Sequence, residues 1–496
     1  MDKIKICIIG CGTYGSYLLK RILDEFNDKV EITVIEIGNE KTRSEQEMGV
    51  GSRSSNSNVA KAGRYFGLGG TSARWGGQII FFDRQDNPLN DPTWEEIIAI
   101  NQKHQGTVVG QLLGNSFRKL FLQLNGPLKA GIWLRYAKRN LFNQISKSQL
   151  KKVKIIKDHR VVEWHTQDGK ISAVKCKNAV GEFSSIEADL FYLTAGAIES
   201  CRLLMKLNKE TGLLDQTDLG KNFGDHLSVE LFRMKKTKPQ LEGASILPSL
   251  FKGSLVTKRK VVATKDGRVG YLHPIFNKDV AVFTSLKKML FGKQKISINV
   301  KHLFQGIGFL IHFGWSILVL KRMYAHKNNW SLQLDIEQPF PNHNSLELLD
   351  ERDKYGEPII KVNWDVTEAD RNAFKEIGRE MEKLLQKEGY TYERVYDGQN
   401  STNKIEDIYH PVGFIRAGLD DSAVLNINNK VRGLINLYHF STAIFPSARS
   451  INPTAAGLCF IEQHLQYLQH LLKNADHEEL SIFYDKRRMR KQTTVL

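Results

Sequence analysis

Two short segments near the C-terminus carry residue types able to manage a proton. YHPVGF at 409–414 supplies His410, and INPTAAG at 451–457 supplies Asn452. A neutral imidazole, with an unperturbed pKa of about 6.5, accepts a proton near neutral pH and suits general-base work. A carboxamide donates and accepts hydrogen bonds but takes no proton, so Asn452 is not a second base. Each has a plainer reading on its own. His410 could be a structural loop histidine, and Asn452 before Pro453 could be a turn former only. Their pairing, in a chain that opens with a nucleotide signature, gives them chemical meaning.

The elements that must position them start at the N-terminus. KIKICIIG is an apolar run ending at Gly10, followed by GCGTYG and the apolar helical stretch SYLLKRIL. Gly10, Gly12 and Gly15 fit G-x-G-x-x-G, with Thr13 and Tyr14 between them. Missing Cβ atoms there permit a tight turn and close approach of a pyrophosphate to a helix N-terminus. A second run, VEITVIEIG, ends in Glu36, where a carboxylate can accept ribose hydroxyl hydrogen bonds. The motif alone does not separate FAD from NAD, but Glu36 argues against a 2′-phosphate.

At 496 residues and 41% hydrophobic content, the chain has room for two or three domains with sizeable cores. No leader precedes the first strand, which reads as a chain without a cleaved export signal. Cys7, Cys11, Cys176, Cys201 and Cys459 are odd in number and lack C-x-x-C spacing. They read as small buried residues of a reducing compartment, not a disulfide frame or zinc site. No histidine shows metal-ligand spacing, and no metal is expected. There is no G-x-S-x-G elbow, no kinase signature and no nucleic-acid module.

Net charge is +17 and concentrated in two segments. Residues 116–160 carry twelve Lys/Arg against Asp158 alone; residues 252–330 carry fifteen against Asp266 and Asp279. The remainder is net negative, so the basic excess belongs to two insertions. It is either a solvated face or the footprint of an anionic partner. The second insertion holds the most apolar stretch, LFQGIGFLIHFGWSILVL at 303–320, closed by Lys321 and Arg322. One crossing would put the nucleotide loop and His410 on opposite sides of a bilayer, which counts against a span. Gln305, Gly308, His312 and Ser316 fall on one helical stripe, so the helix is either cap core or interfacial. Lys287, Lys288, Lys321 and Arg322 would carry its flanking charge.

GRYFGLGGTSARWGGQ at 63–78 pairs glycines with small hydroxyls, which lets a backbone turn pass close to a flat ring or phosphate. At this segment the chain resembles the glucose-methanol-choline (GMC) flavoprotein oxidoreductases, on the pyranose oxidase and cholesterol oxidase side. The resemblance implies that Gly69, Gly70, Thr71 and Ser72 contact FAD. It also implies non-covalent FAD, because Arg74 stands where some members carry a flavin-linked histidine. LFYLTAGAIESCRLLM at 190–205 resembles the strand-turn-helix returning to the FAD, with Ala195, Gly196, Glu199 and Arg202. HRVVEW suggests that Val161 or Val162 meets the adenine. LGKNFGDH at 219–226 resembles the segment leading out of the flavin domain. LDIEQPFPNHNSLELLDERDKYGEP at 334–358 resembles the substrate-domain sheet, with DKYG as a hairpin turn.

By the same resemblance, His410 is the base and Asn452 the group orienting a substrate oxygen. Pro453 and Thr454 hold the pyrimidine end of the flavin. Ser441 and Thr442 stand where many members carry Asp-Gly. Competing histidines read otherwise: His439 as core, His226 as the end of a linker, His159 as preceding the adenine strand.

The expected fold is α/β. A discontinuous Rossmann-type FAD-binding domain spans 1–80, 150–235 and 400–475. An α+β substrate/cap domain with an antiparallel sheet spans 81–149 and 236–399, and 476–496 is a basic tail. The expected reaction is FAD-dependent oxidation of a CH–OH group in a sugar, glycan or related alcohol. The electron acceptor would be oxygen, a quinone or a redox protein. Alternatives are a lipid or sterol alcohol oxidase and an inactive flavin-binding assembly protein. The expected location is cytoplasmic, with peripheral contact to an anionic inner membrane face.

Overall fold

A computed structural model describes residues 3–54, 63–123, 128–235, 238–277, 280, 306–326, 329–396 and 405–473. Five strands form a parallel sheet in the order Leu437–His439, Leu190–Leu193, Ile4–Ile9, Val30–Ile35, Val153–Ile156. Its inner strands are near-continuous apolar runs because both faces are covered. The first strand is central, so the turn after it lies mid-sheet. Gly10, Glu36, Thr194 and Phe440 follow the carboxyl ends of four strands, the edge at which open α/β sheets bind ligands.

The helix Thr13–Phe26 leaves that turn and packs against the C-terminal helix Thr454–Lys473. Tyr17 donates to Glu462 at 2.7 Å and Arg21 pairs with Glu462 at 2.6 Å, both buried. This contact carries the segment after Asn452 back across more than 400 residues to the nucleotide loop.

A second, larger sheet is antiparallel. Its order is Thr391–Arg394, His226–Lys235, Trp330–Glu337, Val269–Phe276, Ser254–Ala263, Lys129–Trp133, Gln78–Ile79. The strand His226–Lys235 pairs with Trp330–Glu337 throughout, though the sequence boundary at 235 gave it to the nucleotide domain. An apolar strand does not reveal which of two sheets it joins. Asp353–Gly356 turns a hairpin, Ser345–Arg352 against Pro358–Asn363, that stands outside this sheet.

The two basic insertions run side by side, since Ser254–Ala263 pairs with Lys129–Trp133 through Val256↔Ile132 and Arg259↔Lys129. The apolar stretch is shorter than its sequence suggests. The helix is Ile307–Leu318, twelve residues, and 303–305, with Gln305, fall outside the described residues, as do Lys287 and Lys288. It is not cap core: Phe309 and Ser316 are buried, while His312 on the expected polar stripe is exposed and stacks on Tyr324. No helix among the described residues is long and apolar enough to cross a membrane.

Candidate active site

The carboxyl edge of the parallel sheet opens into a cleft that is continuous with solvent. Gly10, Gly12, Thr13, Tyr14 and Glu36 form one end of its wall, with Gly70 and Thr71 beside them. Val161, Ala195, Gly196 and Glu199 form another part; Ser441, Thr442 and Thr454 close it. Gly15, Gly69, Ser72, Val162 and Pro453 do not line it. Val161 faces the cleft and Val162 does not, as alternation along a strand requires.

The glycines divide their work. Gly10 has φ 90°, and a Cβ there would lie 2.5 Å from the Ala195 Cα. A Cβ on Gly15 would lie 2.1 Å from the Gly10 carbonyl oxygen, so this glycine lets the helix sit on the strand. A Cβ on Gly12 would meet nothing within 4 Å. The backbone there is bare toward the cleft, and no side chain caps the helix that follows. Uncapped first-turn N–H groups beside open space are what an anionic pyrophosphate needs.

Glu36 is buried and held on three sides. Cys11 N–H donates to it at 2.7 Å, and Gly38 and Gly67 N–H groups each donate at 3.0 Å. Burial still raises its pKa, against the lowering effect of those amides. One carboxylate oxygen keeps spare acceptor capacity, which suits a ribose hydroxyl. Glu199 is different. Burial would raise it, but Arg160 and Arg202 outweigh burial and hold it well below the usual carboxylate range. Its oxygens are taken by Arg160 at 3.0 Å and Arg202 at 2.7 Å, so its part is to brace the cleft wall.

His410 follows Tyr409 in a loop fixed at two points. Its N–H donates to both oxygens of Asp225 at 2.9 Å. Its ring Nδ1 stands 3.2 Å from Nδ1 of His226. The other nitrogen of His226, Nε2, lies 2.6 Å from the Arg449 carbonyl oxygen. A carbonyl only accepts, so His226 carries its proton on Nε2 and offers a lone pair at Nδ1. His410 Nδ1–H therefore donates to His226, which leaves His410 Nε2 as a bare lone pair. Burial, then the neighbouring His226, pushes His410 down to about 3; burial pushes His226 down to about 4. Both rings are neutral near pH 7, the state a base requires.

Asn452 is placed from the other side. Arg259 Nη2 donates to its side-chain oxygen at 3.3 Å, and Arg259 Nη1 donates to the Ser450 carbonyl at 2.9 Å. Ser450 N–H donates to buried Asp86 at 3.0 Å, and Lys129 completes that buried pair. Arg259 also lies over the Tyr271 ring at 3.9 Å, and Tyr271 meets His226 edge-on at 5.3 Å. The two catalytic candidates are thus joined through His226, Tyr271 and Arg259. Tyr409, Pro411 and Thr454 line the cleft beside them, although neither His410 nor Asn452 is itself in the wall.

His226 does not end a linker; it begins a strand of the antiparallel sheet. Sequence reasoning missed it with Asp225, Arg259 and Asp86, and the Asp-His pair in LGKNFGDH was the available signal. Asp225, His226 and His410 also bring ligand-type atoms within 4.8 Å of one another. Those atoms already bond to backbone N–H groups and to each other, which makes the group a hydrogen-bonded clamp. His439 is core, with its nitrogens 2.8 Å from the Leu193 carbonyl and the Ser441 hydroxyl.

Residues 339–459, which include His410 and Asn452, match the family model of the GMC oxidoreductase C-terminal domain. Comparison with curated proteins found no match. Among solved structures, pyridoxine 4-oxidase from Mesorbium loti shares the fold at TM-score 0.57 and 16% identity, covering 94% of this chain and 99% of that one. A variant of formate oxidase from Aspergillus oryzae RIB40, studied for FAD modification, matches at TM-score 0.52 and 14% identity, covering 97% and 99%. The bare glycine loop, the anchored Glu36 and the open cleft fit the FAD that this family binds. Residues 339–459 are thus similar to the GMC oxidoreductases, and the chain shares the fold of the two oxidases.

Proposed function

We propose that the chain oxidises a CH–OH group of a sugar, glycan or related alcohol, with His410 as the base. The carrying observation is the His226–His410 contact, which leaves His410 neutral with Nε2 unprotonated. The hydroxyl proton passes to His410 Nε2 while Asn452, steadied by Arg259, donates to the same oxygen. Bound FAD supplies the hydride acceptor. Gly10, Gly12 and Thr13 would hold its pyrophosphate, Glu36 its ribose and Val161 its adenine. Thr442 and Thr454 would lie toward the flavin. Oxygen, a quinone or a redox protein then takes the electrons.

An anaerobic screen tests the substrate class: the flavin absorbance should bleach with sugars or glycans. Pyridoxine and formate belong in the panel because the solved relatives are named for them. A lipid alcohol is the second reading, favoured by the exposed apolar helix Ile307–Leu318. Bleaching by lipid alcohols alone would select it, and would accord with a cytoplasmic enzyme peripheral to the membrane.

FAD is held without a covalent bond in this reading. Arg74 lies over the Tyr65 ring at 5.3 Å and cannot form a histidyl link. Acid precipitation should release all the flavin, and yellow colour left on the washed precipitate would refute this.

A further inference from the structure

Among the described residues, exposed large apolar side chains gather on one element outside the cleft. Ile307, Ile311, Trp315 and Leu318 recur at helical spacing on the outer face of the Ile307–Leu318 helix, with Ile311 66%, Trp315 60% and Leu318 70% exposed. Val319 and Leu320 extend the patch, and exposed Lys321 and Arg322 end it. The opposite face holds the helix down: Phe309 is buried against Tyr324 and His326. A solvated helix would carry its polar face outward; this one carries its apolar face outward.

The surroundings decide what covers it. Lys321 and Arg322 return along the strand Ser249–Phe251, where Leu250 N–H donates to the Lys321 carbonyl at 2.6 Å and Ser249 bridges Arg322. Lys252 follows that strand, and its carbonyl accepts from Arg135 of the first insertion. Phe251 meets Phe117 of that insertion edge-on at 5.1 Å. The segments 128–157, 246–263 and 306–326 contain no aspartate or glutamate at all. Lys129, Lys157 and Lys260 of these segments pair with Asp86, Glu40 and Glu242, so the charge beside the apolar face is carried by exposed Arg135, Lys252, Lys321 and Arg322.

We infer that this face is a docking surface for an anionic lipid bilayer, on which the helix lies flat with its apolar stripe among the acyl chains. A second copy of the chain is disfavoured as the occupant, because it would bring the same positive segments into contact. Twelve residues extend about 18 Å, too short to span but suited to the headgroup boundary. Tryptophan and flanking lysine or arginine are the residues that settle there. This surface is independent of which alcohol the cleft oxidises.

The test is co-sedimentation of the full FAD-loaded protein with phosphatidylglycerol vesicles and with phosphatidylcholine vesicles. Binding should favour the anionic vesicles and fall as salt is raised, since screening weakens surface attraction. Ile311→Asp and Trp315→Asp alter exposed positions and should each weaken binding about tenfold or more, with FAD content unchanged. The double change Lys321→Glu, Arg322→Glu should weaken it about tenfold or more as well. Three results would overturn the inference: no binding to anionic vesicles at low salt, binding that survives the aspartate variants, or a dimer in light scattering that these variants convert to monomer.

Discussion

Tyr409 and Arg449 hold φ angles of 68° and 47°, and neither is glycine. Such backbone costs about 1–3 kcal/mol per residue and persists only where the surroundings enforce it. One of these residues precedes the proposed base, and the other turns its carbonyl toward His226, so the strain sits on the two backbone points that set His410. Replacing His410 with alanine should leave FAD bound and slow anaerobic flavin reduction by roughly 10²–10⁴ in stopped-flow. Asn452→Ala should also slow it, and Asn452→His should keep part of the rate by supplying another hydrogen-bond donor. His226 acts through His410 and has its own signature. Its loss in His226→Phe removes the acceptor that fixes the tautomer, so reduction slows at pH 7. The same change removes the neighbour that helps hold His410 down to about 3. A base works while neutral, so the acid limb of the rate profile should move to higher pH in His226→Phe. His226→Asn, which keeps an acceptor oxygen, should recover part of the rate. A purely structural residue would lower stability and leave the limb where it was.

The glycine loop shows what a local sequence signal can specify. Gly12→Ala adds a methyl where nothing lies within 4 Å, so the fold should keep its melting temperature while FAD is retained less well after gel filtration. Gly10→Ala puts that methyl against the Ala195 backbone at positive φ, so it should destabilise the fold itself. Equal losses of stability in both variants would contradict this division. The loop, Glu36 and the two parallel strands around them were legible because strand, turn, helix and acid follow within 40 residues. The clamp on His410 was not. Asp225 and His226 lie 185 and 184 residues from His410 along the chain, and only the pairing of distant antiparallel strands makes them neighbours. Arg259 was hidden for a related reason. It sits among Lys258 and Lys260 in a basic insertion, and composition cannot tell the one inward-facing arginine from its outward neighbours. The apolar stretch at 303–320 announced a helix, but sequence could not show which face the cap would cover.

Across the whole molecule, burial of neutral histidines links folding to pH. Burial pushes His439 down to about 4 and His464 down to about 3. Unfolded histidine titrates at about 6.5. Below that pH the unfolded chain binds protons that the folded chain refuses, so stability falls as pH drops from about 6.5 toward 4. Each such histidine adds a slope of about 1.4 kcal/mol per pH unit once the unfolded form is protonated. Glu36 and Asp225, both raised by burial, slope the opposite way over the acid range. The bare curve therefore mixes signs, and a substitution isolates one histidine. In His464→Phe the Tyr192 hydroxyl loses its partner, a 2.8 Å hydrogen bond to the His464 ring. Urea unfolding at pH 7.5 should show the variant less stable by about 1–3 kcal/mol, the cost of an unpaired buried polar group. That deficit should shrink steadily at pH 6 and pH 5, because the variant no longer has the buried ring that acid penalises. A deficit of constant size across that range would mean that His464 is protonated in the folded protein, or is not buried as the structure has it.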